Sequence, residues 1–251
     1  SSIASKQNNQ ADYEFPEDCY VEFDFQLIDL FKEQASKTMK VKDLIAEQFV
    51  IVERELGHRP SRMEYFTYME DDVYEMAKAN SAKNPFRNYL VYLNEIGKLS
   101  EHEVQLKNSF GGEFINMIEK TSMSKSYKMP LLLAFYNNGD VKMNLTEADI
   151  VKSFYDFYHI GSNRVDMLKD NSSKDFESWT EKEYLKLAVD NPIKFMNKTH
   201  GEFFCEREGY VMSLADGLQD WVTDINFVEQ MKDAIEYRVM EYYRGRFEKK
   251  R

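Results

Sequence analysis

The chain has 251 residues, of which 43% are hydrophobic and 31% are charged, values that are ordinary for a globular protein. Its net charge of −11 excludes a surface that binds polyanions over its whole area, because affinity for nucleic acid comes largely from phosphate neutralisation by lysine and arginine. The longest apolar run, Pro130–Tyr136, is far shorter than the roughly 20 residues of a membrane span, so no membrane partner is predicted.

The start of the chain is polar and predicts a flexible N-terminal segment over residues 1–15. The first residue is Ser1 and the first methionine is Met39, so we expect a piece of a longer polypeptide. The two cysteines, Cys19 and Cys205, lie far apart without metal-ligand spacing, which favours a reducing, cytoplasmic location.

From residue 41 the chain has the helical period. Apolar residues recur at intervals of three and four through VKDLIAEQFVIVEREL, and Gly57 can take the positive φ that stops a helix. The stretch LGHRPSRMEYF then predicts a corner between two helices, with Ser61 and Glu64 forming a capping box for the second. NPFRNYLVYLNEIG predicts a further helix that stops at Gly97. A second capping box in LSEHE opens a helix that we expect to continue toward Ile118.

The second half changes character. It predicts an apolar helix, an Asn-Asn-Gly turn at 137–139, a short extended piece, and helices capped at Thr146 and at Thr180. Pro192 is expected to break or restart the latter helix. EFFCEREGYVMSL predicts a tight β-hairpin, and a long amphipathic helix begins near Phe227.

Helices followed by a hairpin is the order of a winged helix. The predicted fold is therefore mainly α: a bundle of helix–turn–helix corners over 16–122, then a winged-helix-like unit with a small β-hairpin and a C-terminal long helix over 123–251.

Sequence motifs for catalysis are not found. There is no glycine-rich phosphate loop, no His-Glu-x-x-His and no cysteine pair with zinc-ligand spacing, and the four histidines are scattered. We therefore predict no catalytic residue, no metal site and no cofactor.

Basic side chains at three places are the candidates for contact with nucleic acid. Arg59 and Arg62, if exposed at the first corner, could touch a phosphate; Lys182 and Lys186 share one helical face, and Arg207 lies at the tip of the hairpin. The competing interpretation is a solvated helix face with no ligand. The helix LTEADIVKSFYDFY is acidic and aromatic, which is typical of core and not of a recognition helix.

Several stretches together carry a resemblance to a known family: LGHRPSRMEYF with LSEHE, SKSYKMPLLLAFYNNG, KDFESWTEKEYLKLAVDNPIKFMNK and FFCEREGYVMSL. They resemble the C-terminal region of bacterial superfamily 2 DEAD/DEAH-type helicases, restriction-enzyme-like proteins often linked to phage defence. The similarity covers residues 40–220, and the ATPase and helicase signatures of that family are absent from this sequence.

The resemblance implies a non-catalytic accessory module that docks on the rest of the parent helicase, contacts DNA, or does both. The alternative is a free-standing protein-interaction adaptor, in defence or regulation, that does not bind DNA.

Overall fold

The structure is a computed structural model that describes residues 40–79, 84–136 and 141–248. The predicted flexible segment 1–15 and the predicted turn at 137–139 lie outside the described residues. A compact unit extends from Val41 onward and contains helices from both sides of the boundary predicted between residues 122 and 123.

The described residues are mainly helical, as the sequence predicts. In chain order the α-helices are α1 Val41–Leu56, α2 Arg62–Tyr68, α3 Asp71–Ala79, α4 Tyr89–Glu95, α5 Glu101–Lys107, α6 Phe110–Lys120, α7 Lys128–Phe135, α8 Glu147–His159, α9 Val165–Leu168, α10 Glu181–Ala188, α11 Lys194–Thr199 and α12 Ile225–Glu248. The strands are β1 Asn144–Leu145, β2 Phe204–Cys205 and β3 Met212–Leu214.

The predicted helix starts at Ser61, Ser100 and Thr146 and the predicted stops at Gly57 and Gly97 are confirmed. Ser61, Ser100 and Thr146 each accept from the backbone N–H three residues on, and the acidic side chain at that position returns a bond to the cap residue. Such reciprocal bonds satisfy two of the backbone N–H groups that a helix start leaves without partners. Gly57 and Gly97 take φ of 73° and 69° after α1 and α4, a conformation that side chains disfavour.

One predicted helix is wrong in extent. The helix that opens at Ser100 ends at Lys107, and α6 begins anew after Ser109, whose hydroxyl accepts from the N–H of Gly112. The chain bends sharply here: a Cβ placed on Gly112 would lie 2.4 Å from the carbonyl oxygen of Leu106. The break is therefore a close backbone contact that glycine permits.

The predicted hairpin is confirmed, and it belongs to a three-stranded antiparallel sheet with the order β1–β3–β2. Asn144 pairs with Ser213 on one side of β3, and Cys205 pairs with Ser213 on the other. Gly209 in the connecting turn takes a φ of 81°. The sheet therefore joins a segment that precedes α8 to the hairpin that follows α11.

The C-terminal helix α12 organises the core. It packs against α2 in the first half and against α6 and α7 further along the chain. An aromatic cluster joins α12 to the first half: the ring of Phe86 lies 5.2 Å from that of Tyr237 and 5.6 Å from that of Tyr74. A larger apolar core then continues without interruption from Leu90 to Tyr243. Burial of this apolar surface is the main favourable term in folding.

Candidate nucleic-acid interface

The second half has the element order of a winged helix. A helix (α7), a strand (β1), a helix (α8), the short helix α9, a further helical segment and the β2–β3 hairpin follow in this order, with β1 paired to β3. In helix–turn–helix proteins the second helix of the motif lies in the major groove of DNA. In the order of elements the segment from Glu181 to Thr199 corresponds to that second helix; it comes after α8 and α9 and packs against α8.

The helix α8 is confirmed as core. Its residues Ile150 and Phe154 are fully buried, and the ring of Tyr155 lies 5.9 Å from that of Tyr184 on α10. The hydroxyl of Tyr184 donates to the carbonyl of Phe176 at 2.9 Å. These contacts fix the inner face of the second helix of the motif and leave its outer face toward solvent.

That second helical segment consists of α10, a π turn over Val189–Ile193, and α11. Pro192 lies buried inside the π turn, so the predicted break is a widening of one continuous helix. Proline lacks the N–H that an α-helix requires, and a wider turn accommodates its ring.

The outer face carries four exposed lysines. They are Lys182, Lys186, Lys194 and Lys198. Lys182 and Lys186 are candidates from the sequence, and their exposure agrees with that assignment. Lys194 and Lys198 are not among the candidates from the sequence, although they continue the same spacing in multiples of four beyond Pro192.

The π turn reduces the rotation around the helix axis between the first two lysines and the last two. In an α-helix each residue rotates by about 100°, so positions four apart drift by about 40° at each step. A π turn takes about one residue more than an α turn, and each of its residues therefore rotates less. The widened turn between Lys186 and Lys194 offsets part of the accumulated drift. We call the four side chains the lysine stripe.

The charges beside the lysine stripe are mixed. Lys186 contacts Asp190 at 2.5 Å, whereas Lys182, Lys194 and Lys198 form no ion pair within the described residues. Glu181 and Glu183 lie in the first turn of α10, where Glu183 accepts from the N–H of Thr180 at 2.8 Å. These acids complement the positive end of the helix dipole. The positive charge is therefore concentrated toward the C-terminal part of the stripe.

Arg207 lies on the hairpin, as predicted, but its guanidinium is engaged within the fold. It donates to the carboxylate of Asp216, and at 3.4 Å to the carbonyl of Leu214. The same turn carries the exposed acids Glu206 and Glu208. The hairpin thus presents little free positive charge.

Arg59 is likewise committed to an internal ion pair. Its two guanidinium nitrogens donate to the two carboxylate oxygens of Glu103 at 2.9 and 2.5 Å, and one of them also donates to the carbonyl of Lys98. This bidentate pair, with hydrogen bonds from Ser100, lowers the pKa of Glu103 to about 2. Arg59 therefore links the turn between α1 and α2 to the capping box of α5.

The exposure expected for Arg62 is wrong. Its side chain is 0% exposed and donates to Glu119 at 2.6 Å, while its guanidinium lies 5.3 Å from the ring centroid of Tyr89. Burial is the largest influence on Glu119 and raises its pKa, and the charge of Arg62 opposes that rise. Arg62 is an internal counter-charge and cannot reach a phosphate.

Within residues 40–79, 84–136 and 141–248, no group of histidine, cysteine and acidic side chains could hold a metal ion. The same ranges contain no helix with the length and apolar character needed to cross a bilayer.

The chain matches no protein-family model, no curated protein and no solved structure. The resemblance to the accessory region of superfamily 2 helicases therefore stays a prediction.

Proposed function

We propose that this chain is a non-catalytic accessory module that contacts DNA through the lysine stripe. The observation that supports the proposal is the exposure of four lysines on the second helix of a winged-helix-like unit. Lysines in this position neutralise backbone phosphates, which gives affinity without sequence readout. The helicase-like stretches of the sequence support a parent protein in which the motor lies elsewhere.

The net charge of −11 limits the expected affinity. Repulsion between the acidic remainder of the surface and DNA offsets part of the gain from the stripe, and both terms are screened by salt. We therefore expect a weak, strongly salt-dependent interaction, with a Kd on the order of 10⁻⁶ to 10⁻⁴ M near physiological salt.

The test is fluorescence anisotropy with a labelled 25-base-pair duplex at several salt concentrations. The triple variant Lys182→Gln, Lys194→Gln and Lys198→Gln should bind at least about tenfold more weakly at 50 mM salt. Its slope of log affinity against log salt should fall by about 0.9 for each phosphate contact that is lost.

The matched control removes the same charge elsewhere. The variant Lys40→Gln, Lys42→Gln and Lys107→Gln changes three lysines at or near α1 and α5, outside the winged-helix-like unit over 123–251. An equal loss of binding in both triple variants would show that binding depends only on overall charge. It would refute the proposal that the lysine stripe contacts DNA.

The alternative function is a protein-interaction adaptor that does not bind DNA. The acidic net charge favours it, because a surface of that sign attracts basic partners and repels DNA. If the unmodified chain does not bind the duplex at 50 mM salt, the result favours this alternative.

A further inference from the structure

The outer face of the second helical segment carries an aromatic ring as well as lysines. Phe195 lies in α11, between Lys194 and Lys198 of the lysine stripe. Its side chain is 46% exposed, and it is the only exposed phenylalanine among those whose side chains the structure describes. A phenylalanine ring has no polar atom, so its exposed part presents apolar surface to water beside two charges.

The packing of α11 explains why this ring faces outward. Ile193, at the end of the π turn, and Met196, in α11, are buried and fix the inner face of the helix. Successive residues of an α-helix differ by about 100°, so Phe195 turns away from the inner face on which Met196 lies. Within the described residues Phe195 neither belongs to the apolar core nor packs against it, and its ring contacts no other aromatic ring. The fold therefore does not require an aromatic ring at this position.

The surroundings of this ring are cationic. Lys198 lies three positions after Phe195, which makes the two side chains neighbours on the helix surface. Lys194 directly precedes Phe195, and neither lysine forms an ion pair within the described residues. The helix α11 contains no acidic residue, and the nearest ones along the chain are Asp190, which is already in an ion pair, and Glu202. Two cations without acidic partners therefore flank the exposed ring.

A ring between two lysines matches the two parts of a nucleotide. The ammonium groups neutralise phosphates, and the ring offers a face on which a base can stack. In a duplex each base is paired and is covered by its neighbours, so a ring on the surface of a helix finds no base face to contact. A single strand leaves its bases free to turn toward the ring. A lone exposed apolar residue is common on protein surfaces, and it is the flanking lysines that favour single-stranded DNA here.

We propose that the C-terminal part of the lysine stripe binds single-stranded DNA, with Phe195 as the platform for one base and with Lys194 and Lys198 as contacts to the adjacent phosphates. The inference rests on the proposed function, and it names the form of DNA that this surface takes. Because every base has a π face, the site recognises no particular sequence. The lysines contribute to the binding of any strand, whereas the ring contributes only where a base is unstacked.

The test compares two strands with the same number of phosphates, a 12-residue oligothymidylate and a 12-residue abasic strand. Oligothymidylate is chosen because pyrimidine runs are flexible and their bases stack weakly on one another. Fluorescence anisotropy at 50 mM salt should show that the unmodified chain binds oligothymidylate about tenfold more tightly than the abasic strand, as expected for one stacked base.

Phe195→Leu should remove this preference, so that the affinity for oligothymidylate falls to about that for the abasic strand. The slope of log affinity against log salt should stay the same, because the lysines remain. Its affinity for the 25-base-pair duplex should equal that of the unmodified chain. Phe195 lies outside the core, so we expect the variant to fold, which circular dichroism checks.

Phe195→Trp should keep the preference and should report stacking directly. The fluorescence of the added indole, measured against the unmodified chain with its Trp179 and Trp221, should be quenched by oligothymidylate and not by the abasic strand. Tyr68→Leu is the matched control, because it removes a ring that is 53% exposed on α2, outside the winged-helix-like unit. It should leave the preference unchanged.

The inference is overturned by equal binding of the two strands to the unmodified chain, or by a preference that survives Phe195→Leu. An equal loss in Tyr68→Leu, or an equal loss of duplex binding in Phe195→Leu, would overturn it too. If the duplex binds while the two strands bind alike, the proposed function stands and only the stacking role fails. If neither the strands nor the duplex bind, the proposed function fails as well.

Discussion

Two arginines show that a carboxylate distant in sequence can hold a basic side chain within the fold. Arg59 and Arg62 share one turn, yet one forms a bidentate pair with a residue 44 positions away and the other is buried against one 57 positions away. A buried ion pair that loses one partner leaves an uncompensated charge, which typically costs about 3–5 kcal/mol. Both side chains are thus held by carboxylates within the fold, and Arg62 is fully buried.

The pair Arg59–Glu103 should make stability depend on acid. The folded-state pKa of Glu103 is lowered from 4.5 to about 2, so its contribution is present above pH 4.5 and is lost as the pH falls toward 2. In Glu103→Gln we expect a loss of about 2 kcal/mol at pH 6 that vanishes near pH 2. Glutamine can keep the capping box with Ser100, which isolates the effect of charge.

Urea denaturation at pH 6 and at pH 2–3 measures this difference, on either side of the isoelectric point near 5.0. Glu101→Gln, at an exposed position of the same turn, serves as control. Its free energy of unfolding should equal that of the unmodified chain at both pH values. A Glu103→Gln deficit that is the same at both pH values would contradict the assignment.

At the scale of elements, glycines serve two purposes that look identical in sequence. Gly57 and Gly97 stop helices with positive φ, whereas Gly112 lies within α6 and allows the carbonyl of Leu106 to approach. Only the fold distinguishes a helical glycine that is needed for close approach from one that faces open space.

Gly112→Ala should destabilise the protein by at least about 2 kcal/mol, because the added Cβ would meet backbone atoms that cannot move aside. Gly245→Ala is the matched control: Gly245 is also helical, but nothing lies within 4 Å of its Cβ position. Alanine should leave stability unchanged or raise it there by up to about 1 kcal/mol. Thermal unfolding of both variants measures the contrast, and equal effects would show that the α5–α6 contact is not tight.

The helix that carries the lysine stripe makes a related point. Its capped start follows from Thr180 and Glu183, and Pro192 marks the irregularity. Proline by itself does not reveal whether the chain breaks or widens into a π turn. The widened turn offsets part of the rotation between Lys186 and Lys194.

For the whole molecule, α12 and the shared core predict cooperative unfolding. Phe86 packs on Tyr237 of α12, and Leu132 lies in the core that continues to Tyr243. Phe86→Ala and Leu132→Ala should each cost about 2–5 kcal/mol and should each lower a single common transition, although they lie on opposite sides of residue 122.

Calorimetry distinguishes one cooperative unit from two independent domains. Two independent domains would give two unfolding transitions, and each variant would shift only the transition of its own domain. Val50→Ala is a suitable control, because the side chain of Val50 is 58% exposed on α1 and should change the transition little.

The sequence by itself determined where most helices begin and end, because each cap, each glycine stop and the hairpin turn depends on a few consecutive residues. It also indicated that α8 is core and that the next helical segment is the more basic. The tertiary structure alone decided which cations remain free: Arg59, Arg62 and Arg207 meet carboxylates brought from other parts of the chain. It alone joined α12 to the first corner, where Asp233 accepts from the backbone N–H of Arg62 across 171 residues of sequence.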